Sequence, residues 1–146
     1  MKELNKNKVE LLAPAGDYMS FIAAVNAGAD AVYMGVDKFN ARMMTKNFTL
    51  EEYLKCIDYA HKRDVKIYLT INTLVLSSEI KELLDIVEKL YKAGLDAVIV
   101  QDLGLASLLH LAFPNLALHA STQMSVLNLS QVKFLEKLGF KRVVLG

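Results

Sequence analysis

The sequence is poor in the residues from which many sites are built. It has one cysteine, Cys56, no tryptophan and two prolines in 146 residues. A single cysteine excludes an internal disulfide and any zinc or iron–sulfur site made from several thiolates of this chain. A free thiol suits a reducing cytoplasm. Charge of one sign is also lacking: 17 Lys and Arg face 16 Asp and Glu, a net charge of +1. That balance gives no whole-chain argument for nucleic acid or an anionic membrane and leaves only a local patch as a route to either. No Gly-x-Gly-x-x-Gly, no phosphate-binding Gly-x-x-x-x-Gly-Lys loop, no His-x-x-x-His, no Cys-x-x-Cys and no Gly-x-Ser-x-Gly elbow occurs, so no nucleotide loop, metal pair or serine elbow is written locally. Met1 to Lys8 is polar and leads into an apolar run that already contains Glu10, which does not read as a signal peptide.

What is abundant is apolar. Hydrophobic residues make up 53% and charged residues 23%, which excludes a disordered chain and suits one domain with a substantial core. Between Leu103 and Val132 there is no Asp, Glu, Lys or Arg. A membrane span needs about 20 mostly apolar residues. Pro114, Asn115, His110, His119, Ser121, Thr122 and Gln123 interrupt this stretch, so a buried helix followed by a buried strand is the expectation, with no membrane partner.

Short β-branched runs alternate with amphipathic stretches. Residues 9–13, 30–35, 65–71, 96–100, 116–120 and 142–145 read as strands. Asp17 to Ala27 reads as a helix stopped at Gly28, and Thr49-Leu-Glu-Glu52 is a capping box that opens a second. Ser78 is the expected cap of a third helix that stops at Gly94. Leu103–Ala112 is a fourth, closed by Pro114, and Asn128 with Gln131 caps a fifth that stops at Gly139. The strands are continuous apolar runs, the mark of burial on both faces and hence of a parallel sheet covered by helices. Ala27-Gly-Ala-Asp-Ala-Val32 is echoed by Ala93-Gly-Leu-Asp-Ala-Val98 and loosely by Leu138-Gly-Phe-Lys-Arg-Val143, each a helix stop followed at once by a strand.

That unit points to an α/β fold, a parallel (β/α) barrel of TIM type. Residues 1–8 form a polar tail and residues 9–146 a partial barrel. Six strands are two short of eight, and Gly146 directly follows a strand, so a chain truncated after six strands is expected. The alternative is a complete six-stranded doubly wound sheet.

In such barrels the chemistry lies at the carboxyl ends of the strands. The candidates there are Gly16 and Gly35 as backbone turns, Arg42 in the long loop after the second strand, Asn72, Gln101, Asp102, His119 and Gln123. Each also has a structural reading. Gly16 and Asp17 make a turn and a helix cap, Asn72 and Gln101 satisfy loop backbone, Asp102 caps the next helix, and His119 is a satisfied strand histidine. Arg42 is a fixed cation suited to a phosphate or carboxylate, or else one half of a surface ion pair. Cys56 falls inside a helix and reads as packing. No metal site is assigned.

Glu10-Leu-Leu-Ala-Pro-Ala-Gly-Asp17, Ala27-Gly-Ala-Asp-Ala-Val-Tyr-Met-Gly35 and Phe39-Asn-Ala-Arg42 resemble the start of the peptidase U32 family. Tyr68-Leu-Thr-Ile-Asn-Thr73, Asp96-Ala-Val-Ile-Val-Gln-Asp102 and His119-Ala-Ser-Thr-Gln123 follow in that family's order. The resemblance covers about residues 8–146 and implies a barrel at the N-terminus of a longer protein. Members of the family are named collagenase-like peptidases. Other branches act in RNA base hydroxylation, on tRNA or large-subunit rRNA, with prephenate implicated. Still others take part in ubiquinone hydroxylation and hold a four-cysteine iron–sulfur cluster. Such a cluster would come from a C-terminal part, because Cys56 cannot replace that signature; this chain itself is expected to hold no cofactor.

Three functions follow as expectations. The chain is the N-terminal portion of an RNA-hydroxylating enzyme, with Arg42, Asn72, Gln101 and Gln123 around a small anionic cosubstrate or a base. Or it is part of a peptidase, a hydrolase acting on peptides, whose nucleophile or metal lies elsewhere. Or it is a non-catalytic truncated product or assembly module, prone to self-association through the open edges of its first and last strands. The missing C-terminal barrel part is the partner that the first two readings require.

Overall fold

A computed structural model describes residues 9–39 and 47–146. The elements in chain order are β1 (Leu12–Pro14), α1 (Tyr18–Asn26), β2 (Ala31–Met34), α2 (Leu50–His61), β3 (Lys66–Ile71), α3 (Ile80–Lys92), β4 (Ala97–Val100), α4 (Leu103–Ala112), β5 (Ala117–Ala120), α5 (Leu129–Lys137) and β6 (Phe140–Val143). The helices begin where local chemistry satisfies their free N–H groups. The Asp17 carboxylate accepts from the Ser20 amide at 2.8 Å. Thr49 and Glu52 close the capping box, Oγ1 accepting from the Glu52 amide at 3.2 Å and Oε2 accepting from the Thr49 amide at 2.9 Å. Asn128 accepts from the Gln131 amide at 3.0 Å.

Ser78 does not cap α3. Glu79 holds the cap position without a side-chain bond to the helix, and its carboxylate turns back to accept from the Leu76 amide at 2.8 Å. Two strands are also displaced from expectation. The first runs Leu12–Pro14 rather than from residue 9, and the last runs Phe140–Val143 rather than from residue 142. The polar tail, residues 1–8, lies outside the described residues.

All strand pairs are parallel and the order is β1-β2-β3-β4-β5-β6. This sequential order is that of a (β/α) barrel wall; a doubly wound sheet reverses direction part-way along, so that alternative is excluded. With every crossover of one hand, the helices share one face. The apolar packing shows it. The outward strand residues Val32, Ile67, Leu69, Val98 and Leu118 join Phe21, Tyr53, Leu83 and Leu109 of the helices in one cluster. A second cluster contains strand residues alone: Ala31, Tyr68, Ala97 and Ile99, with Leu12, Tyr33 and Ala117 at its margin. These line the concave face. Among the described residues no helix is long and apolar enough to cross a membrane.

The sequence echo has a physical cause. Gly28, Gly94 and Gly139 all have φ between 91° and 101°, the left-handed region that ends a helix without a Cβ penalty. The aspartates that follow two of them bind the backbone of the preceding strand. Asp30 accepts from the Leu11 amide at 2.9 Å, and Asp96 accepts from the Ile67 amide at 2.8 Å while also meeting His61 Nε2 at 2.8 Å. The first two echoes are each a helix stop joined to a carboxylate that ties two neighbouring strands, and the third keeps the helix stop alone.

Candidate functional site

The concave face opens at the carboxyl ends of the strands into a cavity of about 310 Å³. Its wall is built from side chains that alternate inward along the strands. Leu12, Tyr33, Thr70 and Ile99 form the deeper part, and Gly16, Gly35, Asn47, Asn72, Ser121 and Thr122 stand at the mouth. No charged side chain lines it among the described residues. Thr70 Oγ1 is shielded from solvent and has no hydrogen-bond partner.

Of the residues expected from sequence, Gly16, Gly35 and Asn72 line this cavity. A Cβ at Gly16 would meet nothing within 4 Å, so a side chain there would enter open space at the mouth. Arg42 lies outside the described residues. Gln101 is half-buried at the end of β4 and is not part of the lining. Asp102 plays its structural role: Oδ1 accepts from the Leu105 amide at 2.9 Å and caps α4, and Oδ2 accepts from the Val75 amide at 3.3 Å. Gln123 is exposed on a short 3-10 turn, Thr122–Met124. Its neighbours Ser121 and Thr122 reach the cavity instead.

His119 is on the concave face but below the mouth. It is 6% exposed, its ring sits edge-on to Tyr68 at 4.8 Å between centroids, and Nδ1 is buried without a partner. Burial first, and then the positive charge of Arg142, push its pKa down to about 4, so it is uncharged at neutral pH. It is not the satisfied strand histidine that its position suggested.

Beneath the cavity lies a network that the sequence did not announce. Arg142 Nη1 donates to Glu10 Oε1 at 2.6 Å, and the Tyr68 hydroxyl lies 3.0 Å from both Glu10 oxygens. The guanidinium carbon stands 5.5 Å from the centre of the Tyr68 ring. Burial raises the Glu10 carboxyl, but hydrogen bonds from Arg142 and Tyr68 and the charges of Arg142 and Lys66 outweigh it, and the pKa falls below its ordinary value. Burial, with the bond to Glu10, pushes the Tyr68 hydroxyl up to about 12. Arg142 reaches this network through a bulge. Leu118 pairs with Phe140 but His119 pairs with Arg142, so β6 carries one extra residue, Lys141. Bulges re-aim side chains in this way. The network ties β1 to β6 through β3, across 132 residues of chain. The only available hints in the sequence were a carboxylate and an arginine next to apolar strand runs.

Cys56 is fully buried in α2 within the helix-side cluster, and burial pushes its thiol up to about 12, so it is packing as its position suggested. Among the described residues no group of three or more His, Cys, Asp or Glu could hold a metal ion.

Residues 16–146 match Peptidase family U32. The chain belongs to this family. Its relative tRNA hydroxylation protein P of Helicobacter pylori is 42% identical over 94% of this chain and 33% of its own length. The 23S rRNA 5-hydroxycytidine C2501 synthase of Escherichia coli is 37% identical over 98% of this chain and 21% of its own length. The chain thus spans a third or less of the length of these curated relatives. The solved structure of the U32 peptidase Mk0906 superposes with a TM-score of 0.73 at 16% identity, covering 94% of this chain and 58% of that one. At that identity the likeness shows the fold alone.

Proposed function

We propose that this chain is the N-terminal barrel portion of a U32 protein that hydroxylates a base in tRNA or ribosomal RNA. The observation that carries the reading is the 42% identity to tRNA hydroxylation protein P along nearly the whole chain. The site is in keeping with it. A cavity of about 310 Å³ at the carboxyl ends of the strands is at the small end of the range for ligand pockets, and amide and hydroxyl groups ring its mouth. Such groups suit the edge of a base turned out of its stack. Arg42, in the loop after β2, is the residue offered to a small anionic cosubstrate such as prephenate. RNA as substrate also agrees with a cytoplasmic setting.

An iron–sulfur cluster does not fit this chain. Such clusters are held by several thiolates, and the lone Cys56 is buried behind the sheet. A cluster, if the longer protein holds one, is ligated by residues outside the sequence described here. Peptide hydrolysis has less support. The Ser121 hydroxyl accepts from the Gln123 amide at 3.2 Å, and no histidine or carboxylate activates it among the described residues.

The test is genetic. In cells lacking the gene, mass spectrometry of nucleosides from tRNA and rRNA is expected to show loss of one hydroxylated nucleoside. The full-length gene restores it, and the same gene carrying Asn72→Ala restores it poorly. An unchanged nucleoside profile in the deletion strain overturns the proposal.

A further inference from the structure

The helices on the outer side of the wall differ in what they show to solvent. The exposed faces of α2 and α3 carry charges that pair with one another, Glu51 with Lys55, Asp58 with Lys62 and Glu88 with Lys92. The exposed face of α4 holds no Asp, Glu, Lys or Arg. Leu103, Leu108 and Leu111 stand on it, from 37% exposed at Leu108 to 80% at Leu111. They lie opposite the buried Leu105, Ala106 and Leu109, so α4 is apolar on both sides, the pattern of a helix enclosed in a larger body. Leu74 and Leu76 extend the patch at the carboxyl ends of the strands. Both are exposed, and the Val75 amide between them donates to Asp102, the cap of α4. A continuous apolar patch of this kind marks an interaction surface. Further βα units do not reach it. They join the sheet at its ends, β1 and β6, whereas the third and fourth units stand in the middle of the wall. RNA does not suit it, because phosphates need cations and no Lys or Arg occurs from Leu103 to Val132. A barrel of about 250 residues is less than twice the length of this chain, and the tRNA hydroxylation relative is about three times as long, so about a third of that relative lies beyond a barrel. A part tethered to the barrel meets the patch at an effective concentration of about millimolar, far above that of a second copy.

We propose that this patch is a docking surface for the part of the longer protein that follows the barrel, a folded segment with an apolar face of its own. The proposal rests on the reading of this chain as the N-terminal portion of a longer protein, and not on the reaction. It adds where the rest of that protein sits. Leu74 and Leu76 follow closely on Asn72, a residue of the cavity mouth, so the docked part stands beside the opening.

The test is site-specific photo-crosslinking in the full-length protein. A benzophenone amino acid replaces Leu76 or Leu111 in turn, and Lys55 on α2 is the control position. After irradiation, mass spectrometry of the digested protein is expected to find Leu76 and Leu111 joined to peptides of the same chain beyond the barrel, with little or no such product from Lys55. With the probe at Leu76, Leu111→Glu places an unpaired charge beneath the docked part and lowers the crosslink yield at least about ten-fold, whereas Leu111→Met stays within about two-fold of the parent. Leu111 is mostly exposed on the wall, so the barrel tolerates both variants, and circular dichroism confirms that they are folded. Crosslinks between two copies, seen as a dimer on a denaturing gel, overturn the proposal in favour of self-association. Crosslinks to added RNA, crosslinks confined to the units that complete the barrel, an equal yield from Lys55, no crosslink at all, or a folded Leu111→Glu variant with the parent's yield also overturn it. Loss of hydroxylation in the deletion strain without these crosslinks would leave the function standing and remove the docking. The crosslinks together with an unchanged nucleoside profile would do the reverse.

Discussion

Replacing Arg142 by methionine removes the charged hydrogen-bond partner of Glu10 while keeping much of the apolar stem, and leaves the charge of Lys66 in place. Three features set the size of the effect. The bond is short, 2.6 Å, and charge-assisted. The side chains are 36% and 24% exposed, so water screens the pair less than a surface ion pair and more than a buried one. After the substitution the carboxylate keeps the Tyr68 hydroxyl as a hydrogen-bond donor and the charge of Lys66. Between the about 0.2–1 kcal/mol of exposed pairs and the about 3–5 kcal/mol lost when a buried pair is broken, a cost of about 1.5 kcal/mol is expected. In a domain of this size that is a fall of about 5 °C in Tm. Urea denaturation followed by circular dichroism measures it, for Arg142→Met, Glu10→Gln and the double variant. Because the two groups share one bond, the double variant should cost clearly less than the sum of the singles, with a coupling of about 1 kcal/mol. The pH dependence has a definite sign. Glu10 has a pKa lowered from 4.5 in the folded state, so its contribution is complete above about pH 4.5 and is lost as pH falls through the folded value. The parent and Arg142→Met should therefore converge in stability in acid. Additive single effects below about 0.3 kcal/mol, or a difference that persists unchanged at pH 3, would refute the view that this pair ties the two edge strands together.

The glycines at the helix stops should differ in their tolerance. At Gly139 a Cβ would lie 2.9 Å from His110 Cε1 on top of a φ of +93°, whereas at Gly28, with a φ of +91°, it would meet nothing. Gly28→Ala should cost about 1 kcal/mol from backbone strain alone, and Gly139→Ala clearly more, with thermal melts as the readout; equal costs would count against the steric account. His119 should show no titration by NMR between pH 5.5 and 8, since its pKa lies at about 4. Because the unfolded chain takes up that proton nearer pH 6.5, stability should fall as pH drops from about 6.5 to 4. A midpoint near 6.5 in the folded protein would refute the burial described here.

Helix starts were legible because they are local. Asp17, Thr49 with Glu52, and Asn128 each satisfy an amide three residues on, and each does so in the structure. Ser78 failed because its neighbour Glu79 takes the cap position and bonds backward, a competition that spacing does not reveal. The strands were found but their ends were not. β1 pairs on one side only and β6 is bulged, so the apolar run and the paired segment do not coincide. The choice between barrel wall and doubly wound sheet depends on strand order, and both give the same continuous apolar runs.

At the site, Gly16, Gly35 and Asn72 were reachable because strand ends predict the mouth of a barrel. Asp102 obeyed its local capping signal instead. Thr70, which also lines the cavity, was overlooked because it lies inside the strand run Val65–Ile71 and not at its end. Nothing local joins Glu10 to Arg142, since the fold alone brings them together.

The two faces of the sheet are held by separate sets of side chains: one cluster binds the strands to the helices, and the other contains strand residues only. Inheritance can act on them separately. A substitution at Tyr33, Thr70 or Ile99 alters what the trough receives without touching a helix, and a change in Phe21 or Leu109 alters packing without touching the trough. A lineage that acquires a new substrate can therefore keep its scaffold while rewriting a few inward positions. The number of those positions is small, because strands of three to six residues offer only one to three inward side chains each.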